Sequence, residues 1–103
     1  MTRTITEEQK SEATQLAQQQ FDLANEYADL GNELIQIKMI KAIHWSELRE
    51  GVKSDAQADR AWDRTEMGIR EMQINSRMKI NEKMISAIKT KINVMNMEAM
   101  NQY

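Results

Sequence analysis

The stretch "REGVKSDAQ", residues 49–57, decides the fold, because it holds the clearest helix stop in a chain otherwise suited to continuous helix. Proline is absent from the 103 residues, and glycine occurs at only three positions. Gly51 fits the C-terminal cap of a preceding helix. Ser54, followed three residues later by Gln57, fits the capping box that opens another helix. The stretch therefore predicts a bend between two helices.

The flanking sequence predicts an all-α fold, a long antiparallel helical hairpin that is coiled-coil-like and forms a single domain. Helix 1 is expected at about 6–50, the bend at 51–54 and helix 2 at about 55–101. Two overlapping capping boxes, at Thr4 and at Thr6, leave the start of helix 1 open by two residues. Gly31 could break helix 1, because glycine costs roughly 1 kcal/mol inside a helix.

Apolar residues in both helices cover about half of the circumference, which is wider than the single stripe of an ordinary surface helix. One stripe of helix 1 comprises Leu16, Leu23, Tyr27, Leu30, Leu34 and Ile37. A second stripe beside it comprises Ala17, Phe21, Ala24, Ala28 and Ile35. Helix 2 has the 3–4 spacing of a coiled-coil seam at Ile74, Met78, Asn81, Ile85, Ile88, Ile92 and Met95.

This width predicts self-association, because two helices of one hairpin can cover only one stripe of each other. Uncovered apolar stripes usually mark an interface. The simplest expectation is two hairpins in a four-helix bundle, with the seam of helix 2 as the oligomer seam. Asn81 either fixes the register of that seam or lies at its edge in contact with water.

The chain offers few residues for catalysis, since it contains no cysteine and one histidine. His44 and Glu47 share a helix face, and a carboxylate ladder follows the bend at Asp55, Asp59 and Asp63. Such groups could hold a divalent metal. Acids in the first turns of a helix are more simply explained by the helix dipole. We therefore expect no catalytic residue, no metal and no cofactor.

The two tryptophans lie at nearly mirrored distances from the bend. Trp45 and Trp62 are expected to pack together, or with Leu48, and to close the end of the hairpin. The alternative is a partner-binding hot spot, in which tryptophan is enriched. Ile40 and Ile43 widen the apolar surface of helix 1 near the bend. The candidate partner-contact residues are therefore Ile40, Ile43, Trp45 and Trp62.

Charge is unevenly distributed, although the net charge is only −2. Residues 1–36 are acidic, and helix 2 has a basic tract comprising Arg77, Lys79, Lys83, Lys89 and Lys91. In an antiparallel hairpin the two tracts can neutralise each other. The alternative is nucleic-acid or nucleotide binding by the basic tract, although it lacks interleaved aromatic residues for base stacking.

No apolar run approaches the roughly 20 residues of a membrane-spanning helix. The first residues, "MTRTITEEQK", have no apolar core of a signal peptide. The absence of cysteine is typical of a reducing compartment. We therefore expect a cytoplasmic protein that does not enter a membrane.

Three strings carry a family resemblance: "WSELREGVKSDAQADRAWDRTEMGIREM", "EKMISAIKTKI" and the terminal "EAMNQY". They resemble small coil-containing proteins of tailed phages, over roughly residues 27–103. The resemblance implies a viral accessory protein and supplies no catalytic residue. Phage proteins of this size often assemble virions or block host machinery, including defence systems.

The expected function is that of a non-enzymatic, self-associating helical protein that binds another protein. If the chain is viral, it is expected to inhibit a host complex in the host cytoplasm or to assist assembly. The alternative function is nucleic-acid or nucleotide binding through the basic tract of helix 2.

Overall fold

The computed structural model describes residues 7–100, which form three helices and no strand. Helix α1 spans Glu7–Glu50, α2 spans Asp55–Asp63 and α3 spans Glu66–Met100. The predicted all-α helical hairpin is confirmed. The expected caps at Thr4 and Thr6, and the expected end of the last helix near residue 101, lie outside the described residues.

The end of α1 falls where the sequence predicts it, at Glu50. The amide of Gly51 donates to the carbonyl of Leu48 at 3.2 Å, which tightens the last turn. Gly51 does not adopt a left-handed conformation, since no glycine among the described residues has a positive φ. The Arg49 guanidinium donates instead to the carbonyl of Val52 at 3.0 Å. The stop therefore uses tightened backbone bonds in the last turn and a side-chain bond to the bend, rather than the conformational freedom of glycine.

The predicted N-cap of the next helix is confirmed at Ser54. Its hydroxyl accepts the amide hydrogen of Gln57 at 3.2 Å. The Gln57 side chain reaches back, but to the amide of Lys53, at 2.8 Å, one residue earlier than in a standard capping box. Asp55 adds an ion pair with Arg49, at 2.7 Å, so that the bend is linked on both sides.

The prediction of one continuous helix after the bend is wrong, because Arg64 and Thr65 interrupt it. The Thr65 hydroxyl donates to the carbonyl of Trp62 at 2.6 Å and accepts the amide hydrogen of Gly68 at 3.0 Å. It thus closes α2 and caps α3 at once. The signal in the sequence is a threonine followed three residues later by glycine, instead of by the Glu or Gln of a capping box.

Gly68 permits this second corner by close backbone contact. A β-carbon on Gly68 would overlap the carbonyl oxygen of Trp62 and lie 2.8 Å from its carbonyl carbon. It would also lie 2.9 Å from the Cα of Asp63. Side chains other than hydrogen therefore do not fit unless the backbone shifts.

The chain divides into two compact units. Unit 1 comprises Met1–Glu26 with Ile80–Tyr103, and unit 2 comprises Tyr27–Lys79. The core of unit 2 consists of Ile37, Trp62 and Ile74. Partly buried apolar residues pack around it: Leu30, Leu34, Trp45, Leu48, Met67 and Met78. In the described part of unit 1 the buried residues are Leu16, Leu23 and Asn81.

Helix α1 is not broken at Gly31, which lies well inside it. A β-carbon on Gly31 would lie 3.9 Å from the Cε of Met78, an ordinary van der Waals distance. The position therefore has room for alanine.

The two glycines give opposite predictions for the same substitution. Gly31→Ala is expected to raise the free energy of unfolding by about 0.5–1 kcal/mol, because alanine is the better helix former. Gly68→Ala is expected to lower it by about 1–3 kcal/mol, because the methyl group forces the corner apart. Urea denaturation followed by circular dichroism measures both. Equal effects of the two substitutions would contradict the close contact at Gly68.

Candidate functional site

The most enclosed polar cluster of unit 2 surrounds Trp62, which is 1% exposed. Its indole Nε1 donates to Oε1 of Glu71 at 3.1 Å. Lys41 reaches the same carboxylate oxygen at 3.2 Å, and its Nζ lies 5.6 Å from the centre of the Trp62 ring. One buried carboxylate thus receives an indole and an ammonium donor, which connects α1, α2 and α3. Sequence reasoning missed Glu71 and Lys41, since neither lies in a motif.

Trp45 and Leu48 pack against the core cluster that contains Trp62. Trp45 is half-buried, and its Nε1 donates to Asp59 at 2.8 Å. Trp62 could contact a partner only by leaving the core. Trp62 is therefore not available as a contact residue in the folded chain, whereas the half-buried Trp45 remains partly accessible.

The other two predicted contact residues lie in different surroundings. Ile40 is half-buried and lines a groove of about 300 Å³ with Ile37 and Met67. Ile43 is 65% exposed, and the residues four and eight positions before it, Met39 and Ile35, are 67% and 59% exposed. We call Ile35, Met39 and Ile43 the unit 2 face. It is apolar, and nothing in the described part of unit 2 covers it.

The acids near the bend are engaged in hydrogen bonds instead of forming a ligand set. Asp55 pairs with Arg49, and Asp59 accepts from Trp45. His44 is exposed. Over residues 7–100 no group of three or more histidine, aspartate or glutamate side chains is arranged to hold a metal ion.

The residues assigned to the oligomer seam face the interior of their own units. Ile74 belongs to the core of unit 2, and Met78 packs against that core. In unit 1, Asn81 is fully buried, and Ile88 lines a groove with Leu23 of α1. The remaining seam residues of unit 1 are half-buried: Ile85, Ile92 and Met95. The seam is therefore used within the chain, and an oligomer would have to use other faces.

Asn81 is the least satisfied polar residue of this seam. Its Nδ2 donates to the backbone carbonyl of Leu23 at 3.5 Å, the long limit of a hydrogen bond. Its Oδ1 is buried and has no hydrogen-bond partner within the described residues. The bond places Asn81 and Leu23 at the same level of the antiparallel helix pair in unit 1.

The outer side of α3 in unit 1 is a second uncovered apolar surface. Four of its large side chains are exposed: Ile80, Met84, Val94 and Met97. Met84 and Ile88 also line a groove of about 370 Å³, whose other wall is formed by Gln19, Asp22 and Leu23 of α1. We call Ile80, Met84, Val94 and Met97 the α3 face.

The basic tract is only partly neutralised. Lys91 forms an ion pair with Glu12 at 3.3 Å. Lys79, Lys83 and Lys89 are exposed, and no ion pair involves them in the described range. Arg77 is exposed but has an interaction within the chain. The five residues are therefore not equally free for a ligand.

No helix over residues 7–100 is long and apolar enough to span a membrane. Comparison with protein-family models, with curated proteins and with solved structures found no match.

The carboxylate of Glu71 is expected to be important for stability. Glu71→Ala leaves the buried indole of Trp62 without an acceptor and should lower the free energy of unfolding by about 1–3 kcal/mol. Asp59→Ala is the matched control, because its partner Trp45 can hydrogen-bond to water. Denaturation followed by tryptophan fluorescence measures both, and a larger effect for Asp59→Ala would contradict the assigned role of Glu71.

Asn81→Leu is expected to stabilise the chain by about 1–3 kcal/mol, because it removes a buried amide whose oxygen is unpaired. Thermal unfolding followed by circular dichroism measures the change. A lower melting temperature for Asn81→Leu would show that the amide contributes net stability.

Proposed function

We propose that this chain is a non-enzymatic, self-associating helical protein that acts by binding other proteins. The observation that supports the proposal is that large apolar side chains remain exposed although the helix seam is used within the chain. The unit 2 face and the α3 face together present seven such side chains, each at helical spacing. Large apolar side chains that are exposed in groups often mark an interaction site.

The polar groups near the bend support a binding role over a catalytic one. Asp55, Asp59 and Glu71 each hydrogen-bond to a neighbouring side chain that holds the helices together. Trp45 is half-buried, and its indole N–H is already bonded to Asp59. A partner can therefore dock on apolar surface here without leaving that donor unpaired.

The finer role rests on the resemblance to coil-containing proteins of tailed phages. We propose an accessory viral role in the host cytoplasm, in which the chain occludes a site on a host complex, for example a defence complex, or assists assembly. A partner protein would use the unit 2 face, which includes Ile43, one of the predicted contact residues.

Nucleic-acid or nucleotide binding is the alternative function. Lys79 of unit 2 and Lys83 of unit 1 favour it, since each is exposed and has no ion pair in the described range. Lys91 weakens it, because its charge is already paired with Glu12. Binding that falls steeply with salt and is lost in Lys79→Glu/Lys83→Glu would establish this alternative.

Self-association is tested by size-exclusion chromatography with light scattering on the unmodified chain. We expect a mass of two or more chains at micromolar concentration, and dissociation on dilution. High salt should weaken the oligomer by no more than about tenfold, since apolar burial is the main driving force and salt screens only exposed charge pairs. A monodisperse monomer over the whole micromolar range would refute self-association.

A further inference from the structure

We propose that a second copy of this chain docks on the α3 face, with α3 parallel to its symmetry mate, so that Lys83 of each copy faces Asp22 of the other. The inference rests on the proposed self-association and adds the surface, the orientation and an ion pair. All of the residues involved belong to unit 1.

The side chains around α3 follow a definite order. At roughly 100° per residue, Ile88, Met84, Ile80 and Lys83 follow one another around the helix. Ile88 and Met84 line the groove whose opposite wall includes Asp22 of α1. From the α1 side outward, the surface therefore presents an acid, a groove, apolar side chains and then a base.

The charges of Asp22 and Lys83 both lack a counter-charge within the described residues. Asp22 accepts a hydrogen bond from the uncharged Gln18 at 2.9 Å and has no ion pair within the described residues. Lys83 is exposed and likewise has no ion pair there. By contrast, Lys91 already reaches Glu12 of its own chain. Each copy thus has a free acid and a free base on opposite sides of the apolar surface that Ile80, Met84 and Ile88 form.

The symmetry of a homodimer limits how two such patches can face each other. Most homodimers have a two-fold axis, so that the same patch is used on both copies. If the two-fold axis lies in the interface and runs parallel to α3, it exchanges the two sides of the patch. Asp22 of one copy then lies opposite Lys83 of the other. An axis across α3 would place Asp22 opposite Asp22 and Lys83 opposite Lys83. Charge complementarity therefore selects the parallel arrangement.

Asp22 and Lys83 also lie at similar levels along the helix axes. The hydrogen bond from Asn81 to the carbonyl of Leu23 sets residues 23 and 81 at one level. Asp22 and Lys83 therefore lie within about one turn of each other along the axis. A two-fold axis parallel to the helices keeps these levels unchanged, so the two side chains meet without a shift of register.

A face on one helix is smaller than the standard interface of about 800 Å² per partner. We therefore expect a weak dimer, with a dissociation constant on the order of micromolar. A single charge reversal affects two symmetric contacts, so it has a measurable effect.

Charge reversal tests the pair in the full chain. Lys83→Glu and Asp22→Lys should each raise the dimer dissociation constant about tenfold, since each places like charges opposite each other twice. The double variant Lys83→Glu/Asp22→Lys restores opposite charges and should return to within about threefold of the unmodified chain. Lys89→Glu is the matched control, because it makes the same charge change on the other side of α3 and should leave the constant unchanged.

Disulfide trapping tests the surface independently. The chain has no cysteine, so an introduced one reports a single position. Met84→Cys should form disulfide-linked dimers under mild oxidation, and Lys89→Cys should not. A dimer in which the double variant is no tighter than the single variants, or in which Met84→Cys does not cross-link, would overturn this docking mode but not self-association.

Two further outcomes would overturn more than this docking mode. A monomeric unmodified chain would refute both the proposed function and this inference. Salt-dependent binding of a DNA duplex by the unmodified chain at monomer mass, lost in Lys83→Glu, would assign the base to nucleic acid and overturn the dimer.

Discussion

The close approach of Gly68 to the carbonyl of Trp62 is the constraint on which unit 2 depends. It allows α3 to begin directly against the end of α2, with Thr65 bonded to both. The corner directs the indole of Trp62 inward, to Glu71, which also accepts a hydrogen bond from Lys41 of α1. A single uninterrupted helix would lack this corner. The fold is therefore a hairpin with a short additional helix, α2, which contributes the largest core side chain, Trp62.

The two units are stabilised by different means. Unit 2 buries Trp62 and Ile74 completely, or nearly so, and satisfies the one carboxylate beside them. The described part of unit 1 buries two leucines and an amide with an unpaired oxygen, and its only phenylalanine, Phe21, is exposed. Because apolar burial is the main favourable term in folding, unit 1 gains less from its own contacts. A second copy that covers apolar surface in unit 1 would supply what the single chain lacks.

Local signals in the sequence predicted the first corner but not the second. Ser54 and Gln57 form a recognisable pair, and the helix starts where they indicate. Thr65 and Gly68 give no comparable signal, because their geometry depends on a carbonyl contact that only the folded backbone creates. The two tryptophans look equivalent around the bend, yet the second corner buries Trp62 and leaves Trp45 half-buried. The wide apolar pattern did predict exposed stripes, since that argument needs only helical spacing and the number of helices.

The seam of α3 likewise shows which features helical spacing predicts and which depend on the folded chain. Spacing placed its members, including Asn81, on one side of the helix, but could not decide whether they face the same chain or another copy. The structure assigns them to the interior of the units, and the question of oligomerisation moves to the faces left outside.

The central claim is that the chain leaves apolar faces uncovered and that another copy covers one of them. The most direct measurement is the melting temperature as a function of chain concentration, followed by tryptophan fluorescence. Association with the folded state alone makes the melting temperature depend on concentration. The account predicts a melting temperature that rises with concentration through the micromolar range. A melting temperature that is independent of concentration would contradict it.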